Sequence, residues 1–180
     1  MTQRFVILDR DGVINVDSDD YIKSPDEWLP IDGSLQAIAD LYQHGYKVIV
    51  ITNQSGVARG LFTLESLHAM HDKMQTLVLD AGGKIEAIYF CPHAPTAGCD
   101  CRKPATGMYT RFADDYATEL RHIYAIGDSY RDLEAARSCS AKAILVKTGK
   151  GLKTLASHPE LTEPVFENLY EASQYIINQS

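Results

Sequence analysis

Short apolar runs recur along the chain, separated by longer stretches of helical periodicity. The runs at residues 5–8, 46–51, 86–90, 123–126 and 143–146 are rich in Val, Ile and aromatic residues and show little polar alternation. They read as strands buried on both faces, as in a parallel sheet. Between them, Leu35, Ile38, Ala39, Leu41 and Tyr42 fall at helical spacing and stop before Gly45, a suitable helix C-terminal residue. Thr63 is placed to cap a helix reaching about residue 81, with Leu64, Leu67, Met70, Met74, Leu77 and Val78 on one face. Further helices are expected over about 107–119, 131–138 and 169–178. Strand and helix alternate throughout, which predicts an α/β fold with a doubly wound, Rossmann-like parallel sheet and right-handed crossovers, forming a single domain over residues 1–180. The polar loop at 15–32 is too short to be a domain of its own, and the short connections leave no room for an inserted cap domain.

The residues that follow the strands change the picture. The first strand runs directly into Asp9-Arg10-Asp11-Gly12 and the second into Thr52-Asn53-Gln54-Ser55. The third leads through a Cys/His cluster to Lys103, and the fourth ends at Gly127-Asp128-Ser129, with Asp132 just beyond. Strand C-terminal ends share one edge of a parallel sheet, where ligands bind, so these groups can converge from distant parts of the chain. Taken alone, Asp9 to Gly12 is equally a surface turn, and Asp132 equally a first-turn acid facing the helix dipole. Asp9, Asp11 and Asp128 brought together repel by roughly 4 kcal/mol per close pair at an effective dielectric near 20, a cost that a hard divalent cation such as Mg²⁺ removes. His68 and His71 lie at i, i+3 on the second helix without a carboxylate at ligand spacing, and read as ordinary histidines of the helix surface or core edge.

Composition narrows the partners. At 180 residues with formal charge -7, the chain has no Lys/Arg-rich run that would attract nucleic acid or an anionic membrane. There is no secretory pattern and no apolar run of membrane length, so a cytoplasmic protein, a monomer acting on a small molecule, is expected. Cys91, Cys99 and Cys101 crowd together while Cys139 stands apart, which suits a metal site in a reducing compartment better than a disulfide framework. With His93 they form a Cys₃His set able to close a tetrahedral, structural Zn²⁺ site in the loop 91–103; the alternative is a loop of reduced, unligated thiols.

The four strand-end motifs in order, DRDGV, the strand ending in TN, the Lys-Pro before a helix, and GDSYRD, resemble those of the haloacid dehalogenase (HAD)-type phosphatases over residues 5–132. The resemblance implies that Asp9 is a nucleophile, Asp11 a general acid/base, and Thr52 and Lys103 contacts to the transferring phosphoryl group. It also implies Mg²⁺ held by Asp9, the Asp11 backbone carbonyl and Asp128, with Asp132 behind them. The CxH…CxCRKP loop resembles the zinc-bearing subfamily that contains heptose bisphosphate and histidinol-phosphate phosphatases. The run at 52–60 is more similar to the heptose bisphosphate members, which implies a sugar bisphosphate substrate on the way to nucleotide-activated heptose for lipopolysaccharide. Histidinol phosphate is the alternative substrate, and a non-catalytic sugar-phosphate-binding module the alternative of another class. Substrate contacts are expected from Asp17, Asp20, Tyr21, Asn53, Gln54, Ser55 and Arg102, where amide and hydroxyl groups can bond sugar hydroxyls and a guanidinium can fork onto a second phosphate.

Overall fold

A computed structural model describes residues 3–179. Six strands, β1 (Arg4–Leu8), β2 (Tyr46–Asn53), β3 (Ile85–Cys91), β4 (Tyr124–Gly127), β5 (Lys142–Val146) and β6 (Val165–Phe166), form one sheet in the order β3-β2-β1-β4-β5-β6. Every pairing is parallel. The chain winds outward from β1 to β3, then returns to the other side of β1 with β4, so the winding reverses between β1 and β4. A crevice opens at such a reversal, beyond the C-terminal ends of the two strands.

The helices are α1 (Ser34–Gln43), α2 (Leu64–Asp80), α3 (Gly107–Asp115), α4 (Tyr130–Ser138), α5 (Gly151–Ser157) and α6 (Leu169–Asn178). Alternating strand residues divide the core into two layers. Val6, Leu8, Val48 and Val50 pack with α1, α2 and α6 through Ile38, Leu41, Leu67, Met70, Met74 and Ile176. Phe5, Ile7, Ile49 and Ile51 pack on the other face with α3 and α4 through Met108, Phe112 and Leu133. On this second face Phe112 is fully buried, with its ring centroid 5.2 Å from Phe5 and 5.4 Å from Tyr116.

The parallel sheet and the principal helices match the hydrophobic pattern, with two differences. The helix expected to reach 119 stops at Asp115: Ala117 takes a left-handed φ of 47°, and the Thr118 N–H closes back onto the Ala113 carbonyl at 3.0 Å. Tyr116 is held there by its contacts with Phe5 and Phe112. α5 and β6 carry too little periodicity to be read from sequence, since one is a seven-residue helix and the other a two-residue strand fixed by pairing with β5. Among the described residues no helix is long and apolar enough to cross a membrane.

Phe112→Ala removes the centre of the aromatic cluster and should lower the unfolding free energy by about 3–5 kcal/mol in urea titration. A loss below about 1 kcal/mol would mean that this layer does not depend on the ring.

Candidate active site

The site is built on the two strands that flank the winding reversal. Asp9 follows β1 directly and its N–H donates to the Ile126 carbonyl of β4 at 3.0 Å, so the first carboxylate is tied to both strands. Asp128 follows β4 and sits between two glycines. A Cβ at Gly12 would lie 2.0 Å from Asp128 Oδ2, and one at Gly149 would lie 2.2 Å from the same atom. Both glycines have positive φ, so backbone strain and contact alike exclude larger residues there. The Lys150 N–H donates to Asp128 Oδ2 at 2.8 Å and the Thr148 hydroxyl to the Gly12 carbonyl at 2.7 Å, so the β5–α5 connection closes over this carboxylate.

Lys103 reaches the same place from the opposite side and is almost completely buried. Its Nζ lies 3.1 Å from Asp9 Oδ1 and 2.7 Å from Asp132 Oδ1, and donates to the Ile51 carbonyl at 2.7 Å. Burial works against its charge, but the carboxylates of Asp132 and Asp9 outweigh that and hold its pKa above the ordinary lysine value. Lys103 also holds Asp132 below the usual carboxylate range despite burial. Asp132 meets the helix as well, since Oδ2 accepts from the Ser129 N–H and hydroxyl at 3.1 and 2.8 Å. Asp132 thus joins a cap at the start of α4 to the buried ammonium of Lys103.

Oxygens of Asp9, Asp128 and Asp132 lie within 4.8 Å of one another. With Lys103 as the buried cation between Asp9 and Asp132, the group stays under-neutralised. Burial and the neighbouring Asp132 charge push Asp9 up to about 7, and the same causes, with Asp9, push Asp128 well above the carboxylate range. A cluster of hard oxygen donors short of positive charge fits a magnesium ion by both charge and donor chemistry.

Asp11 is oriented differently. Its Oδ1 accepts from Arg10 Nε at 3.1 Å, Arg10 Nη2 at 2.9 Å and Asn15 Nδ2 at 2.8 Å, while Oδ2 accepts from Gln54 Nε2 at 3.0 Å. Burial would raise its pKa, yet the Arg10 charge and these donors hold it below the ordinary value. The third corner of Arg10, Nη1, lies 3.2 Å from His71 Nε2 on α2. Arginine only donates, so Nε2 accepts and the ring proton sits on Nδ1. His71 is thus a bonded core residue next to the acids, and its i, i+3 spacing from His68 held no signal for this.

The cleft above these groups has a volume of about 270 Å³ and is lined by, among others, Asp17, Tyr21, Thr52, Asn53, Gln54, Ser55 and Arg102. Asp20 does not line it. The Asp20 N–H bonds the Ser18 hydroxyl at 3.1 Å in a tight turn, the left-handed Tyr21 (φ 67°) redirects the chain, and the exposed Asp20 is left outside while Ser18 and Asp19 border the cleft. Asn53 lines the cleft but its amide is engaged: Nδ2 donates to the Lys103 carbonyl at 3.1 Å, and Oδ1 accepts from the Lys103 N–H at 3.0 Å. Thr52 is buried and its hydroxyl accepts from Gln54 Nε2 at 3.0 Å.

Arg59, Arg131 and Lys150 also line the cleft. Arg59 lies in the loop already marked by Asn53 to Ser55, and Arg131 inside the GDSYRD motif, so both were within reach of sequence reading. Lys150 follows a strand without any motif and had no such signal. Arg102 Nη1 is buried without a hydrogen-bond partner, and burial, together with nearby Arg131, lowers the guanidinium pKa. This arrangement favours an anion in the cleft.

Behind Arg102, the Cys91, His93, Cys99 and Cys101 ligand atoms lie within 4.8 Å of one another. Cys91 Sγ is 3.7 Å from Cys99 Sγ and 3.4 Å from His93 Nδ1, and His93 Nδ1 is 3.2 Å from Cys101 Sγ. A tetrahedron with zinc–sulfur bonds near 2.3 Å has edges of about 3.8 Å; the Cys91–Cys99 edge matches it, whereas Cys91 Sγ and Cys101 Sγ, 3.0 Å apart, must separate to admit an ion. The Arg102 N–H draws the Cys99 thiol down to about 6, towards the thiolate that a metal needs, while burial pushes the Cys91 and Cys101 thiols up.

The HAD-hydrolase-like family matches residues 100–172. A D-glycero-β-D-manno-heptose-1,7-bisphosphate 7-phosphatase of Pseudomonas aeruginosa is 50% identical over 169 residues, covering 94% of this chain and 95% of that protein. A protein of Neisseria meningitidis with the same name is 48% identical, covering 98% and 96%. The crystal structure of D,D-heptose 1,7-bisphosphate phosphatase from Bordetella bronchiseptica, complexed with magnesium and phosphate, superposes with a TM-score of 0.96 at 47% identity, covering 98% of this chain and 99% of that one.

His71 gives this site a measurable pH signature. Burial first, and the Arg10 charge second, push its pKa down to about 3. The unfolded chain, with an ordinary histidine, takes up a proton below about 6.5 that the folded chain refuses, so stability falls as pH falls through that value. The stability advantage of wild type over His71→Gln should therefore shrink by about 1–2 kcal/mol between pH 7 and pH 5 in urea titrations. A constant difference would mean that the ring protonates freely in the folded state.

Proposed function

The chain belongs to the HAD-like family of heptose 1,7-bisphosphate 7-phosphatases, and from that premise we propose that it removes the C7 phosphate of D-glycero-β-D-manno-heptose 1,7-bisphosphate through a covalent phosphoryl intermediate on Asp9. The observation that carries the reading is the convergence of Asp9, Asp11, Lys103 and Asp128 at the winding reversal, beneath a cleft rimmed by Arg59, Arg102, Arg131 and Lys150.

In this mechanism a carboxylate oxygen of Asp9 forms a bond to phosphorus as the bond to the sugar oxygen breaks, and Asp11, ionised in the free site and protonated on Oδ2 as the anionic substrate settles beside it, gives that oxygen its proton. Water then attacks phosphorus and loses a proton to Asp11, the bond to Asp9 breaks, and phosphate leaves. Lys103 and Thr52 hold the phosphoryl oxygens in line with Asp9, and the buried ammonium offsets their charge as an anion approaches a carboxylate. Magnesium, when held by the Asp9 and Asp128 carboxylates and the Asp11 backbone carbonyl, supplies the remaining positive charge. Asp132 stays behind, engaged by Lys103 and Ser129. Gln54, bonded to both Thr52 and Asp11, keeps the phosphoryl and proton-transfer groups in register. Arg102 takes the second phosphate, helped by the other cations of the rim, while Asp17, Tyr21 and Ser55 meet the sugar.

Cys91, His93, Cys99 and Cys101 hold a structural zinc that fixes the loop carrying Arg102 and Lys103. Reduced thiols suit the cytoplasm, where the heptose 1-phosphate product serves nucleotide-activated heptose and lipopolysaccharide synthesis. One chain supplies every side chain named, so a monomer suffices.

Asp9→Asn should lower magnesium-dependent phosphate release from the bisphosphate by about 10³-fold or more, and unchanged turnover would sink the nucleophile assignment. In the same assay the wild type should prefer the heptose bisphosphate to histidinol phosphate by at least about 10²-fold in kcat/KM; the opposite order would make it a histidinol-phosphate phosphatase. Metal analysis of purified protein should give zinc at one per chain, and Cys101→Ala should lower both zinc content and Tm. A zinc-free preparation with full activity and unchanged Tm would remove zinc from the account.

A further inference from the structure

Arg10 is the most deeply buried charge of the site, at 0% exposure, although it stands between two acids that face the cleft. Strand alternation explains its direction. Val6 and Leu8 of β1 point into the layer that contains α2, and Arg10 continues the same register into that layer. There the guanidinium uses two corners on one atom, Asp11 Oδ1, and the third on His71. With Asn15 added, Oδ1 takes three donors, whereas Oδ2 takes Gln54. The lone-pair position left for exchanging a proton is therefore on Oδ2. Which oxygen is left open is decided by where the rigid guanidinium plane sits, and that plane is anchored at its far corner by α2.

We propose that His71 is a positioning residue for proton transfer at Asp11, acting through Arg10. The inference rests on the reading of Asp11 as general acid/base given above. His71 never touches substrate. Its imidazole is packed against Phe90, with ring centroids 6.0 Å apart, and is buried within α2. Without an acceptor at that point, Nη1 of Arg10 would be a buried donor with no partner, which costs about 1–3 kcal/mol and favours a shift of the plane. The one-oxygen grip on Asp11 would shift with it. A displacement near 1 Å at a proton-transfer group can cost about 10²-fold in rate.

The test compares substrates that differ in their need for the acid. The sugar bisphosphate releases an alkoxide oxygen that must be protonated, whereas p-nitrophenyl phosphate releases a phenolate that leaves unaided, and kcat/KM reports the steps through that departure. Asp11→Asn is the reference and should lose far more on the sugar phosphate than on the aryl phosphate. His71→Leu should lose about 10-fold or more on the sugar phosphate and less than about 3-fold on the aryl phosphate. His71→Gln, which restores an acceptor oxygen, should recover most of the sugar phosphate activity. Arg10→Lys keeps the charge beside Asp11 but has no far corner; it should show the same split as His71→Leu and replaces that variant if the leucine form does not fold. If Asp11→Asn itself shows no split, the assignment of Asp11 fails. If Asp11→Asn splits the substrates but His71→Leu and Arg10→Lys lower both alike, or neither, only the role of His71 is overturned. A glutamine variant no better than the leucine one overturns it too.

Discussion

The buried ammonium of Lys103, held between Asp9 and Asp132, is the interaction on which the rest of the site depends. Carboxylates that converge at one sheet edge cannot stay ionised together in a buried place without compensating charge. Lys103 settles how the deficit is distributed: Asp132 is kept ionised, while Asp9 and Asp128 are left short of positive charge. Asp9 and Asp128 are thereby the groups prepared to gain from a cation. Asp11 adds to the repulsion on Asp9, but its own charge is met separately by Arg10. Two charge systems thus stand side by side, one around Lys103 and one around Arg10.

Lys103 lies outside the strands and is held in place by the end of β2 and by the loop that follows β3. Asn53, the last residue of β2, pairs both atoms of its amide with the Lys103 backbone. The Cys/His loop lies just before Lys103 and ends at Cys101, two residues away. The lysine is therefore clamped from the sheet on one side and from the loop on the other. This explains why a small, polar cleft can keep one long side chain in a single position without helix or strand structure of its own.

The parallel fold and much of the cleft lining were legible in sequence because β1, β2 and β4 are largely apolar runs that stop at polar groups, so that sheet edge and chemistry coincide at Asp9, Thr52 and Asp128. What was not legible came from tertiary contact. Asn53 reads as a sugar ligand by its chemistry, yet its partner lies 50 positions away. Asp20 differs from Asp17 and Asp19 by the local turn alone. His71 looks like any histidine on a helix until Arg10 is seen to point into the same layer. β6 is two residues long and has no pattern to detect; pairing with β5 creates it.

The contact of Asp128 with Gly12 and Gly149 bears on how this site could be moved or rebuilt. These residues come from three separate connections, yet their atoms already touch, with no space for one more carbon. They form one packed unit: an aspartate transplanted to this strand end in another scaffold would need both bare backbones brought with it. Variation at any one of the three is admissible only if the other two change in step. The loop 148–150 carries no recognisable motif, but by this contact it is as tightly constrained as the acids themselves.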